Sequence, residues 1–79
     1  MITISFYDTK PYAREYFNLI NEQYGFMINY FETKLSARTA KLAEGSDAVC
    51  AFVNDDVSAP TINALQKLGV RLIAMRCAG

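Results

Sequence analysis

Asp47-Ala48-Val49-Cys50-Ala51-Phe52-Val53-Asn54-Asp55-Asp56 is the stretch whose reading decides the fold. Residues 48–53 form an apolar run with no polar residue alternating through it, bounded by Asp47 before and by an amide and two carboxylates after. Such a run predicts a central strand of a parallel sheet, covered on both faces. The Asx cluster behind it predicts a turn into a helix.

The flanks repeat the same alternation of elements. On the C-terminal side, Ser58 and Pro60 open a helix carrying Ile62, Leu65 and Leu68, which Gly69 stops, and residues 70–75 form a fourth strand. On the N-terminal side, Ser36 can cap a short helix through Leu42, closed by Gly45. Residues 26–31 are rich in β-formers. Gly25 ends a helix running from Tyr12 to about Tyr24, on which Tyr12, Tyr16, Phe17 and Ile20 recur near helical spacing. Pro11 suits the first helical position, with Thr9 or Lys10 near the N-cap. Ile2, Ile4 and Phe6 alternate with Thr3 and Ser5, the period of a first strand.

The expected order is β-α-β-α-β-α-β with short connections. It predicts an α/β, Rossmann-like parallel sheet with right-handed crossovers. This amounts to half to two-thirds of an open doubly wound domain, whose last strand would need cover from a helix the sequence does not contain. The chain reads as the first part of a larger protein, ending at a functional loop.

Composition narrows the function classes. The chain is 79 residues long and 52% apolar, which argues for one small folded domain and against disorder. Eight basic residues balance eight acidic ones and are scattered, giving no electrostatic case for nucleic acid or an anionic membrane. No apolar segment approaches the roughly 20 residues that span a bilayer, and no signal peptide is visible, so a soluble, cytoplasmic protein is expected. Cys50 and Cys77 lack the spacing of a zinc site, and without histidine a metal site would need carboxylates alone. Within its apolar run, Cys50 reads as a small buried hydrophobe kept reduced.

Ligands of open parallel sheets bind outside the carboxyl ends of the strands. Three loops qualify: Tyr7-Asp8, residues 52–56, and Arg76-Cys77-Ala78-Gly79. Asp8 with Asp55 and Asp56 suggests an acidic pocket for Mg²⁺ in a receiver-like module that accepts phosphate on Asp55; an Asx turn into the helix is the plainer reading. Phe52, at the mouth of the third strand, serves either as core packing or as an apolar wall for a small substrate. Successive N–H groups around Ala78 and Gly79 can form a nest for a carboxylate or phosphate, although a strand ending in a glycine turn is commonplace. Arg76 reads as an anchor for that loop. The four glycines are isolated, and no Ser–His, Cys–His or Cys-x-x-Cys arrangement exists. The chain itself therefore carries no credible catalytic centre.

Residues 47–56, with Phe-Val-Asn-Asp-Asp at their core, and residues 69–79, ending in Arg-Cys-Ala-Gly, are specific enough to be compared with known families. Together with Tyr7-Asp8-Thr9-Lys10, Tyr12, Gly25-Phe26 and Thr39-Ala40-Lys41, they resemble the N-terminal part of bacterial fermentative D-lactate dehydrogenases, among the NAD-dependent D-2-hydroxyacid dehydrogenases. The resemblance covers essentially all 79 residues. It implies that residues 1–79 begin a discontinuous, flavodoxin-like substrate domain, with a separate NAD-binding Rossmann domain absent from this chain. It implies reversible hydride transfer between NADH and pyruvate, giving D-lactate, in a homo-oligomeric parent. By matching positions, the N–H groups of Ala78 and Gly79 would hold the substrate carboxylate and Phe52 would line the side-chain pocket. The family's catalytic arginine, its acidic partner, its histidine and its nucleotide fingerprint would all lie beyond Gly79, so the isolated segment is expected to be inactive.

Overall fold

β3 (Ala48–Phe52) lies between β1 (Thr3–Phe6) and β4 (Leu72–Arg76), and β2 (Met27–Tyr30) lies on the far side of β1. All pairings are parallel, and the sheet order is β2-β1-β3-β4. This computed structural model describes residues 2–52 and 55–76. The order is that of a flavodoxin-like sheet, with its strand order reversing between β1 and β3. The expectation of a parallel α/β sheet is met strand for strand.

Two helices connect the strands. α1 (Pro11–Asn21) starts with Lys10 as N-cap and Pro11 at its first position. The Asn21 side chain ends it by clasping the next segment: its Nδ2 donates to the Phe26 carbonyl at 2.7 Å, and its Oδ1 accepts from the Phe26 N–H at 2.9 Å. Gly25, at φ 70°, makes the left-handed turn in between, a conformation that costs a side-chain-bearing residue about 1 kcal/mol or more. α2 (Ala59–Lys67) has Ser58 at its N-cap position, as expected, but the Ser58 hydroxyl makes no capping bond. Asp56 instead steadies the approach to the helix, accepting the Ser58 N–H at 2.9 Å and the Thr61 hydroxyl at 3.3 Å.

The helix expected from Ser36 to Leu42 is instead a turn followed by a short 3-10 segment, Ala40–Ala43. Its polar groups are engaged by side chains within the turn and by Tyr7 from outside it. The Thr39 hydroxyl accepts the Ser36 N–H at 2.9 Å and donates to the Lys34 carbonyl at 2.7 Å. The Thr39 carbonyl takes the Leu42 N–H at 3.0 Å and the Tyr7 hydroxyl at 2.7 Å. Side-chain competition of this kind favours turns over helix.

The core sits on one face of the sheet. Val49 and Ala51 of β3, Tyr7, Leu35, Ala40, Ala43 and Leu65 are all essentially buried there, under α2 and the 3-10 segment. Val70, expected to start β4, lies before it and closes this core; its N–H donates to the Leu65 carbonyl at 3.1 Å. On the opposite face α1 reaches only half of the sheet: Phe17 packs on Phe6 with ring centroids 4.8 Å apart. Tyr12 and Tyr16, expected on the buried side of α1, are 75% and 62% exposed. β3 is therefore not covered on both faces as its apolar run suggested. Beside α1 an open apolar groove of about 290 Å³ remains, lined by Phe17, Ile20, Cys50, Leu72 and Ala74. No described residue covers β3 and β4 there, and Leu72 is 61% exposed.

The two faces should respond oppositely to mutation. Leu65→Ala should destabilise the fold by about 2–5 kcal/mol in urea titrations. Leu72→Lys should cost little stability and should reduce self-association of the 79-residue chain, read by light scattering.

Candidate functional site

The crevice that a parallel sheet offers to a ligand lies where its strand order reverses, here at the carboxyl ends of β1 and β3. On the β1 side the chain is held firmly. The Tyr7 N–H donates to the Cys50 carbonyl at 2.9 Å, extending the pairing with β3 by one residue. The Asp8 N–H reaches the Thr33 carbonyl at 2.8 Å and the Thr9 N–H reaches the Phe31 carbonyl at 3.0 Å, tying the loop to the exit of β2. Asp8 takes a left-handed φ of 52°, tolerated by short polar side chains. Its carboxylate, 3% exposed, pairs with the Lys10 ammonium at 3.0 Å.

Tyr7 is the largest fully buried side chain at this end. Its ring meets Phe31 at a centroid distance of 5.3 Å, and its hydroxyl donates to the Thr39 carbonyl. Burial, then the negative charge of Asp55, pushes its pKa up to about 12. Sequence patterning carries no sign of this role, because a tyrosine directly after an alternating strand looks like a loop residue.

On the β3 side, Phe52 is the last residue of the strand and stands in register with Arg76, the last of β4. Following Cys50 in the strand alternation, it belongs to the α1 face, at the half of the sheet that α1 leaves open. It is half-buried, with its backbone fixed by Asp55: the Asp55 carboxylate accepts the Phe52 N–H at 2.9 Å, and the Asp55 N–H donates to the Phe52 carbonyl at 2.9 Å. Asp56 is anchored on both sides, its N–H donating to the Leu35 carbonyl at 2.9 Å and its carboxylate serving α2. Hydrogen bonding from Ser58, side chain first and then amide, holds that carboxyl below the usual carboxylate range.

These partners correct the acidic-pocket reading. Asp8 is turned to Lys10, Asp55 to the Phe52 amide and Asp56 to the start of α2. Among the described residues no group of three acidic, histidine or cysteine side chains converges to hold a metal. The Asx-turn reading accounts for both carboxylates, Asp55 and Asp56.

Phe52 is thus found at the mouth of the crevice. Ala78 and Gly79 lie outside the described residues, as do Cys77, Asn54 and the side chain of Arg76. A larger cavity, about 550 Å³, opens elsewhere, between α1 and the exit of β2. Its charged side chains cancel, Lys10 and Arg14 against Glu15 and Glu32, and Arg14 lies over the Tyr30 ring at 5.3 Å. It sits on the β2 side of β1, away from the reversal in strand order, so the crevice beside Phe52 is the stronger candidate. No helix among the described residues is long and apolar enough to cross a membrane.

Comparison with known proteins gives this geometry a context. Residues 4–79 match the family model described as D-isomer specific 2-hydroxyacid dehydrogenase, catalytic domain. The chain is 47% identical over 76 residues to the D-lactate dehydrogenase of Escherichia coli, covering 96% of this chain and 23% of that protein. It is 49% identical over 76 residues to 2-hydroxyacid dehydrogenase homolog 1 of Schizosaccharomyces pombe, with the same coverage. The solved D-lactate dehydrogenase of Salmonella superposes with a TM-score of 0.95 at 46% identity, over 99% of this chain and 24% of that one. The chain spans about a quarter of the length of these relatives.

Tyr7 supplies a test of the local geometry. Its raised pKa means that stabilisation carried by the neutral hydroxyl is complete below the ordinary value of 10 and is lost as the pH rises through about 12. Tyrosinate absorbance at 295 nm should show Tyr7 and Tyr30 titrating above the ordinary tyrosine value, and Tyr7→Phe should remove the step near 12. The same substitution should cost roughly 0.5–1.5 kcal/mol of stability through the lost bond to Thr39.

Proposed function

The chain belongs to the D-isomer specific 2-hydroxyacid dehydrogenase family, and from that premise we propose that it forms the first segment of the substrate-binding domain of an NAD-dependent D-lactate dehydrogenase. The observation that carries the reading is the 47% identity to the Escherichia coli D-lactate dehydrogenase along nearly the whole segment. Supporting it is an aromatic residue, Phe52, at the switch in strand order, where a small ligand meets an apolar wall.

In this reading Phe52 bounds the pocket for the methyl group of pyruvate, and the N–H groups of Ala78 and Gly79 hold its carboxylate. A wall of this kind selects by volume, each methylene being worth roughly 1–3 kcal/mol. A nest of neutral amides favours the carboxylate by aligned dipoles without adding a second charge near the reacting carbonyl. NADH, held outside this segment, would supply the hydride that, with a proton, turns pyruvate into D-lactate.

The described residues do not fit the dinucleotide itself. The turn from β1 into α1 is Tyr7-Asp8-Thr9-Lys10, without a glycine to admit a pyrophosphate, and Asp8 puts a buried carboxylate where phosphate would approach. NAD therefore belongs, in this proposal, to a domain outside this segment, together with the groups that move the proton. A cytoplasmic, homo-oligomeric enzyme acting on small 2-oxo and 2-hydroxy acids completes the proposal.

The test is pyruvate-dependent NADH oxidation by the complete native gene product, with chiral analysis of the lactate. Turnover to D-lactate is expected. A folded product that ignores pyruvate would remove the lactate assignment and redirect attention to larger 2-oxo acids. The 79-residue segment alone should show neither turnover nor quenching on titration with NADH.

A further inference from the structure

Phe52 ends β3, in register with Arg76 of β4, and the turn behind it adds a further hold on its backbone. Asp55 supplies that hold: its Oδ2 accepts the Phe52 N–H at 2.9 Å while its own N–H returns to the Phe52 carbonyl at 2.9 Å. Both backbone polar groups of Phe52 are thereby fixed by one residue, itself only 8% exposed. The next residue, Asp56, is tied to the buried Leu35 and to the start of α2.

The other oxygen of the carboxylate, Asp55 Oδ1, is buried and meets no hydrogen-bond donor among the described residues. Leaving a buried acceptor unmatched is costly, and a turn could be closed without it. Among the described residues, the hydrogen bond that the Asp55 side chain makes is the one its Oδ2 accepts from the backbone of Phe52.

We infer that Asp55 is a positioning residue for substrate selection, holding Phe52 at the depth that fits a methyl group and excludes longer side chains. The inference rests on the reading of Phe52 as a pocket wall, and it adds a residue that does not touch substrate. Because the wall contributes to ground state and transition state alike, its loosening should appear mainly in KM.

The experiment uses the complete gene product and compares kcat/KM for pyruvate with that for 4-methyl-2-oxopentanoate. Phe52→Ala should lower the preference for pyruvate roughly tenfold or more. Asp55→Ala should lower it several-fold, chiefly through KM, whereas Asp55→Asn, whose amide oxygen can replace Oδ2, should stay within about threefold of the parent. Should Asp55→Ala not fold, Asp55→Glu serves, since it keeps the charge but displaces the acceptor by a methylene; it too should lower the ratio. A shift with Phe52→Ala but none with Asp55→Ala or Asp55→Glu would overturn the inference and leave the pocket reading standing. Equal shifts from Asp55→Ala and Asp55→Asn would also overturn it, because the acceptor would not be what matters. No shift with Phe52→Ala would instead remove the pocket reading itself.

Discussion

The pairing of β1 with β3 is the constraint on which the rest of this structure depends. β2 comes after β1 in sequence and takes its place on one side; β3 must then pass to the other. That passage opens the crevice between the ends of β1 and β3, because the connections leave in opposite directions. It also sets which residues meet there. Ile4 stands opposite Ala48 and Phe6 opposite Cys50, so Tyr7 and Phe52 leave the sheet on opposite faces of the same gap. A slip of one residue would exchange the faces and send Phe52 into the core under α2.

The two faces are closed to different degrees. Under α2 and the 3-10 segment the side chains are tightly enclosed, with Val49, Ala51, Ala40 and Ala43 all at 0% exposure. Under α1 the contacts are aromatic, with Phe6 meeting Phe17 and Tyr30, and they cover only the β1–β2 half. The polar pair Ser5 and Ser46, their hydroxyls 2.6 Å apart, is accommodated on the closed face because the two share a hydrogen bond. Family membership gives the open half a setting, since the relatives carry roughly four times as much chain.

Much of this fold is legible in the residues. Alternation in residues 2–6, the apolar run before Asn54, and Pro11 and Gly25 at the ends of α1 each act through local backbone preference, which needs no partner to be read. The helix expected after Ser36 fails for the opposite reason: the Thr39 carbonyl is claimed by the hydroxyl of Tyr7, a contact between distant parts of the chain. Likewise, the apolar run of β3 indicates burial but not how far α1 reaches. At the site, the position of Phe52 at its strand end is plain from the pattern, while the work of Asp55 is not. Two adjacent carboxylates look like a cation site until the directions in which they point are known. The spacing from Phe52 to Asp55, with an Asx side chain three residues past the strand end, is the signal that favours the turn.

Asp47 has a consequence for how the chain reaches this state. Its N–H donates to the Thr3 carbonyl at 2.8 Å, its carboxylate accepts the Thr3 N–H at 2.9 Å, and its own carbonyl accepts the Arg71 N–H at 2.8 Å. One residue thus gathers the starting ends of β1, β3 and β4, segments that lie far apart along the polymer. None of these strands can find its neighbour through a local hairpin, and every contact closes a long loop before any enthalpy returns. The starting ends of the strands therefore meet as a three-way junction rather than as a ribbon that grows from one end. Before that junction closes, unpaired strand edges are open to intermolecular pairing, so Asp47 closing its ring also guards against chains meeting one another.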